Sequence, residues 1–389
     1  MCRILYLNHN VKGRSTYHRC FSLAKELVLL GHEVTILTNS PTNRIRYHQY
    51  TEDKVKIVET PDLLWGSLRT GWDPLNVIRR CAYLKDKQYD LIHAFDTRPT
   101  VIIPALFYKK FKKNIPLVID WSDWWGKGGA ITLRPNKVLN ALFSPIETFF
   151  EEYFRKFADY TTVASSLLQK RAIKLGIKVD KIVILPNGAD IRNIFPSDKT
   201  KARKALNLPL DKNICIFPGF VLYDIQMVID SFVYLHSRNP DSILILVGKF
   251  SKKVLRLYQA YVNTGDILIR ENVPKKTLRL YLNSADVGLL PMADNLTNKA
   301  RFPMKFGDYL ATGIPVVTNK VGDVGNLVQK YKIGFLSQYS PKSIGDTILE
   351  IFRNPGKARK ISTRGRLFAE KEFSWEFIAR SVKSIYQSL

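Results

Sequence analysis

Short apolar runs that stop at polar residues alternate along this chain with stretches carrying an apolar residue every three or four positions. Cys2–Asn8 is the first such run. A loop with Gly13 and Ser15 follows. Phe21, Leu23, Ala24, Leu27, Val28 and Leu30 then recur at helical spacing until Gly31 stops the pattern. Glu33–Leu37, Asp90–Ala94, Pro116–Asp120, Tyr160–Ala164 and Lys181–Leu185 repeat the strand-like run. Strand, glycine loop, helix and strand in succession predict a doubly wound parallel sheet, because parallel neighbours need a crossover between them.

The rhythm breaks at Leu185-Pro-Asn-Gly-Ala-Asp190 and the polar stretch Ile194 to Lys204, where a domain boundary is expected. A second alternation then begins. Strands are predicted at Asn213–Pro218, Ile243–Val247, Asp266–Leu268, Val287–Leu290, Pro315–Thr318 and Gly334–Leu336. Helices are predicted at Met227–Asn239, Lys275–Ala285, Phe306–Thr312, Ser343–Phe352 and Phe373–Ser388. The expected fold class is therefore α/β, with two Rossmann-like doubly wound domains facing across a cleft at the C-terminal ends of both sheets, where ligands of open α/β sheets bind. A length of 389 residues suits two such cores.

Composition narrows the function classes. No basic, apolar leader pattern precedes the first strand, and no apolar run approaches the length of a membrane span, which predicts a cytoplasmic protein. Cys2, Cys20, Cys81 and Cys215 are scattered and form no ligand-like pair, so neither disulfides nor zinc is expected. The net charge of +26 is spread over both halves. Such a surface suits nucleic acid, an anionic membrane or phosphorylated small molecules. The absence of finger, RNP1 or zipper patterns argues against nucleic acid. Leu106–Lys113 joins aromatics to four Lys, and Phe143–Phe157 is Phe-rich and amphipathic; both suit peripheral contact with an anionic membrane, the alternative being a solvated Lys cluster and a core-facing Phe stripe.

The most informative stretch is Arg301 to Val317, which packs a turn, Lys305, Asp308, a short helix, the stop Gly313 and an apolar strand into one unit. A Lys and a carboxylate one turn apart at a helix start suit a nucleotide-sugar: the N–H groups and the Lys face the diphosphate, and the carboxylate takes ribose hydroxyls. The plainer alternative is one more helix-then-strand unit.

Several motifs in this order resemble the retaining glycosyltransferases of family 4, which have the GT-B architecture. They are Leu185–Asp190, Val273-Pro-Lys-Lys-Thr-Leu278 with Ser284-Ala-Asp-Val287, Asp308–Val317, and Phe373-Ser-Trp375. The resemblance implies domains at 1–192 and 197–372, with 373–389 forming a terminal helix that crosses back to the first. It implies transfer of a sugar from a nucleotide-diphosphate-sugar to a glycan or lipid-linked acceptor hydroxyl, with no metal and no cofactor. Asp308 takes the position of the ribose-binding carboxylate, and Val273 lies in the nucleobase segment. The carboxylate that would meet the donor sugar falls on Ala300, leaving Asn298 or Arg301 to cover for it. The segment after the first strand of the second domain lacks the family's Arg and Lys; Gly219 still admits a phosphate, and Lys305 with Arg301 is the expected replacement pair. Gly13 fits the loop near the donor phosphate. Asp120 stands at the position of the family's active-site His and is the candidate to orient or deprotonate the acceptor, with Lys305 assisting the leaving group. Asp123 and Trp124 suit sugar hydroxyls and ring faces, and His93 is a further acceptor candidate. A non-catalytic sugar-nucleotide-binding scaffold and a GT-B epimerase remain as alternatives.

Overall fold

The computed structural model describes residues 1–389 except Ser15, Asn43, Arg44, residues 64–69, Lys113, Asn114, Pro135 and residues 220–223. The chain divides into two compact units. The first contains Met1–Asn187, Ala300–Phe302 and Trp375–Leu389, and the second Gly188–Lys299 and Pro303–Ser374.

The first unit is built on the strands β1 (Arg3–Val11), β2 (Glu33–Asn39), β3 (His48–Glu52), β4 (Val55–Thr60), β5 (Leu91–Phe95), β6 (Leu117–Trp121), β7 (Tyr160–Val163) and β8 (Ile182–Ile184). They form one sheet in the order β3-β4-β2-β1-β5-β6-β7-β8. All neighbours run parallel except β3, which pairs antiparallel with β4 at the edge. Ile4, Leu5, Tyr6 and Leu7 of β1 are wholly buried, as in a parallel strand covered on both faces. The β3–β4 hairpin is absent from the sequence-based expectation. His48–Glu52 is polar and edge-exposed, and its turn uses Asp53 and Lys54, both at positive φ (47° and 63°), without the glycine that usually announces such a turn.

The second unit carries β9 (Asn213–Pro218), β10 (Ser242–Val247), β11 (Ile267–Arg270), β12 (Val287–Leu290), β13 (Val316–Asn319) and β14 (Phe335–Ser337). Their order is β11-β10-β9-β12-β13-β14, parallel throughout. Helix Ile225–His236 buries Ile225, Val228, Ile229, Phe232 and Leu235 along one stripe against this sheet. An 18-residue helix, Pro355–Glu372, was not expected, since its sequence is rich in charge and has no regular apolar stripe. Its buried face consists of small residues, Ala358, Ser362, Gly365 and Ala369, which lets it lie close to its neighbours without an apolar stripe.

The unit boundary falls inside the Pro-Asn-Gly turn, earlier than residue 192. Asn187 belongs to the first unit: it accepts from Arg19 Nη1 (3.1 Å) and donates to the Phe302 carbonyl (2.5 Å). Ala189 N–H already donates to the Phe373 carbonyl (2.8 Å), and Asp190 pairs with Lys275, both in the second unit. Residues 300–302, expected in the second domain, group with the first. The terminal helix Trp375–Gln387 packs in the first unit beside helix Thr16–Leu29. His93 Nδ1 on β5 lies 2.6 Å from Tyr386 Oη, and Tyr6 Oη on β1 lies 3.0 Å from the same oxygen, so the helix is fastened to the sheet by a buried polar cluster.

Candidate active site

In each sheet the strand order reverses once, between β1 and β5 in the first and between β9 and β12 in the second; in open α/β sheets ligands bind outside the C-terminal strand ends at such a point. In the second unit Gly219 follows β9. Lys305 Nζ, from the first turn of helix Met304–Thr312, stands 3.5 Å from the centroid of the Phe217 ring. A Cβ built on Gly219 would lie 2.7 Å from that ammonium nitrogen, so the backbone of Gly219 is bare toward the cation. Gly248, at φ +138°, passes so close behind that a Cβ there would meet the Gly219 carbonyl at 2.0 Å. Two strand ends thus offer exposed backbone beside one positive charge, and the first N–H groups of helix Met304–Thr312 add no side-chain cap of their own.

Asp308 lies one turn after Lys305 and is only partly exposed. Burial raises its pKa from 3.8 to about 7, with Asp190 adding to the rise and Lys275 and Lys305 opposing it. Asp190 itself is held low by its ion pair with Lys275 and its bonds from Asn193. The helix is seated on the Pro-Asn-Gly turn: a Cβ on Gly307 would lie 3.1 Å from Ala189 Cα. Two of the motifs read from the sequence therefore meet in one place. Val273 is half-buried, immediately before helix Lys275–Ser284.

Asn298 is not available to a sugar. It is 1% exposed, and its amide nitrogen donates to Asp224 Oδ2 (3.1 Å) and the Ala293 carbonyl (2.9 Å). Asp224, missed in the sequence, sits at φ +63° and also accepts from Ala293 N–H and Tyr339 Oη, both at 2.9 Å. It clamps the loop after β12 to the start of helix Ile225–His236. The neighbouring residues 220–223, part of the segment expected to face the diphosphate, lie outside the described residues.

In the first unit Asp120 corrects the expectation most sharply. It has no exposed surface, and it accepts two bonds from Arg19, Nε to Oδ2 at 2.9 Å and Nη2 to Oδ1 at 2.8 Å. Thr162 Oγ1 adds a third at 2.6 Å. Burial raises its pKa, but Arg19 outweighs that and leaves it below the ordinary value. A sealed, doubly bonded carboxylate neither meets an acceptor nor takes its proton; it anchors β6 to Arg19, which also binds the Leu185 and Pro186 carbonyls. His93 is likewise sealed; burial lowers its pKa to about 3, so it is neutral, and its role is the Tyr386 contact.

What does stand at the reversal point is a set the sequence reading missed. His9 lies near the C-terminal end of β1, and Asp96 follows β5 at φ +83°, an uncommon conformation for a non-glycine residue. His9 Nδ1 lies 3.6 Å and Arg98 Nε 3.4 Å from Asp96 Oδ2. Burial and Arg98 keep His9 neutral, its pKa well below the ordinary value. Asp123, from the next loop, has its proton affinity raised by burial and by Asp96, against the opposing charges of Arg301 and Arg19. Arg301 thus acts on the first unit's carboxylate, whereas Lys305, its expected partner, belongs to the second unit. The only sequence signal for His9 and Asp96 is a polar residue ending an apolar run, which every strand here shares.

The tryptophan loop is latched rather than open. Glu151 accepts from Trp121 Nε1 (3.1 Å) and from the N–H groups of Trp125 and Gly126 (2.7 Å each). Trp124 carries the Arg171 guanidinium 3.5 Å from its ring centroid, so one face is already covered. Gly13 adopts φ +76° with open space beyond its Cα, a turn residue at the exposed end of β1, and Ser15 of the same loop is outside the described residues. Among the described residues no group of three or more His, Cys, Asp or Glu is placed to hold a metal.

Two Rossmann-like units with parallel sheets define the GT-B class. The family model "Glycosyltransferase Family 4" matches residues 18–193, and "Glycosyl transferases group 1" matches residues 198–368. The chain belongs to glycosyltransferase family 4 and is an enzyme, a glycosyltransferase. It is 22% identical over 95% of its length to 93% of an uncharacterised glycosyltransferase of Methanocaldococcus jannaschii. It is also 22% identical, over 74% of its length, to 67% of the chitobiosyldiphosphodolichol beta-mannosyltransferase of Candida albicans. Among solved structures, sucrose-phosphate synthase of Thermosynechococcus elongatus superposes with a TM-score of 0.77 at 18% identity, covering 100% of this chain and 99% of that one. HepE of Anabaena, solved with UDP and glucose, gives 0.75 at 17% identity with both chains fully covered. These likenesses concern the fold.

Proposed function

We propose that this enzyme moves a sugar from a nucleotide-diphosphate-sugar to a hydroxyl of a glycan or lipid-linked glycan, with retention at the anomeric carbon and without a metal or cofactor. The observation that carries the reading is the Lys305 ammonium poised over the bare backbone of Gly219 at the reversal point of the second sheet. There the diphosphate meets a cation, open backbone and the first N–H groups of a helix, and Asp308 one turn on takes the ribose hydroxyls. As the bond from the anomeric carbon to the diphosphate breaks, its electron pair stays on the leaving phosphate. Lys305 and the helix start stabilise that charge, the task a metal would otherwise perform. The acceptor oxygen forms the new bond to the anomeric carbon and gives up its proton; within the first unit Asp123, its proton affinity raised, is a better-suited proton acceptor than the sealed Asp120.

A thermal-stabilisation panel of UDP-, GDP-, ADP- and dTDP-sugars tests the donor reading, followed by proton NMR of the anomeric product with chelator present. One nucleotide class should raise the melting temperature, Asp308→Ala should remove the shift and Lys305→Ala should weaken it. No stabilisation by any donor, or an undiminished shift in Asp308→Ala, would overturn the assignment.

A further inference from the structure

Helix Lys137–Tyr153 is inside out. Its carboxylates point inward: Glu147, 9% exposed, accepts both guanidinium bonds of Arg134 at 2.8 and 2.6 Å, and Glu151, 3% exposed, holds the tryptophan loop. Most of its apolar side chains point outward, Phe150 excepted. Val138 is 79% exposed, Leu142 65%, Ile146 47% and Phe149 49%, with Leu139, Phe143 and Tyr153 beside them and Phe157 just beyond. At 3.6 residues per turn these residues fill an arc of about 140° opposite the two glutamates. The arrangement reverses what a soluble surface requires, and the area is far more than scattered exposed apolar residues account for.

The rim says what covers it. From Asn136 to Phe157 every acidic side chain is buried or tied to Arg171 or Arg134, and the exposed charges are Lys137 and Lys156, the latter 3.6 Å above the Tyr153 ring. Helix Pro99–Phe111 brings Lys110, Lys112 and a 51% exposed Phe111 to the same region, since Lys109 pairs with Asp159 two residues beyond Phe157. Phe150 on one helix, Phe154 just after it and Leu106 on the other helix pack on a common core cluster. A protein partner of matching shape would meet an apolar centre with only cations around it. No helix among the described residues is long and apolar enough to cross a membrane, so the face is suited to lie in the interface plane.

We propose that this face docks the first unit onto an anionic lipid bilayer, with Leu142, Ile146 and Phe149 entering the acyl boundary and Lys110, Lys112, Lys137 and Lys156 meeting the headgroups. The proposal is independent of the donor assignment. It is tested by flotation of the full chain with phosphatidylcholine vesicles containing about one third phosphatidylglycerol, against pure phosphatidylcholine. Binding should be strong on the anionic vesicles and weakened by salt. The double variant Leu142→Ser/Phe149→Ser should lose at least tenfold in partitioning, because two half-exposed large side chains leave the interface. Lys110→Glu/Lys156→Glu should lose chiefly the salt-sensitive part. All four sites are at the surface, so each variant should keep the parent melting temperature, and donor-induced stabilisation should persist as an independent check of folding. Absence of flotation at low salt, or unchanged partitioning of the serine variant, would overturn the proposal. A soluble dimer that the serine variant breaks, with no vesicle binding by the parent chain, would reassign the face to a second copy.

Discussion

Replacing Asp308 by Asn should make the free protein more stable and less able to bind its donor, and the size of the first effect follows from the structure. The carboxyl has its pKa raised from 3.8 to about 7 by burial, only partly countered by Lys275 and Lys305. An acid whose folded pKa lies above its unfolded value binds more protons when folded, so stability is highest below about pH 4 and is lost as pH rises through 7. At about 1.36 kcal/mol per pH unit, the spread from 3.8 to about 7 amounts to roughly 4 kcal/mol as a ceiling. Partial exposure of Asp308 lowers that to about 1–3 kcal/mol at pH 8. Asn keeps the shape and has no charge to desolvate. Urea denaturation of both proteins from pH 4 to 9 should give curves that coincide near pH 4, separate progressively in favour of Asp308→Asn as pH rises to about 7, and keep a constant gap above that. Donor-induced stabilisation should fall at least tenfold in apparent affinity, because a carboxylate accepting two hydroxyls becomes an amide with one acceptor oxygen. Parallel pH profiles, or a variant less stable at pH 8 than the parent, would refute the claim that this carboxyl is held ready for a ligand at a cost to the fold.

Gly219→Ala should lower kcat/KM at least tenfold with little change in melting temperature, since its Cβ would lie 2.7 Å from Lys305 Nζ and push aside a flexible side chain rather than backbone. Asp123→Asn should depress kcat more than donor affinity and remove the acidic limb of the pH–rate profile, whereas a profile unchanged from the parent would rule Asp123 out as the proton acceptor. Arg19→Ala should cost about 3–5 kcal/mol in denaturant unfolding, because it strands the buried Asp120, and Arg19→Ala/Asp120→Ala should recover part of that loss. Tyr386→Phe should destabilise by about 1–3 kcal/mol through the loss of its contacts to His93 and Tyr6, with donor-induced stabilisation intact.

What could be read along the chain was whatever is decided over a few residues. Continuous apolar runs and period-3.6 patterns placed the parallel strands and the main crossover helices, because a strand buried on both faces is apolar throughout and a covering helix is apolar on one stripe. Lys305 and Asp308 were legible for the same reason: three positions apart at a helix start, they share a face whatever surrounds them. The helix Pro355–Glu372 was not, because its packing face is made of small residues that carry no hydrophobic period. The hairpin at residues 48–60 was not, because its turn takes two non-glycine residues into the left-handed region.

Charge placement belonged to the tertiary structure alone. Nothing near Asp120 announces that Arg19, 101 positions away, claims both its oxygens, nor near His93 that Tyr386, 293 positions on, occupies it. The same residue types at the same strand ends could have faced solvent. Local pattern fixes which way a backbone runs and which stripe is greasy. Only the folded chain determines which polar groups lose water, and burial together with the nearest opposite charge then decides whether a carboxylate becomes a charged strut, like Asp120, or one whose pKa is raised, like Asp308.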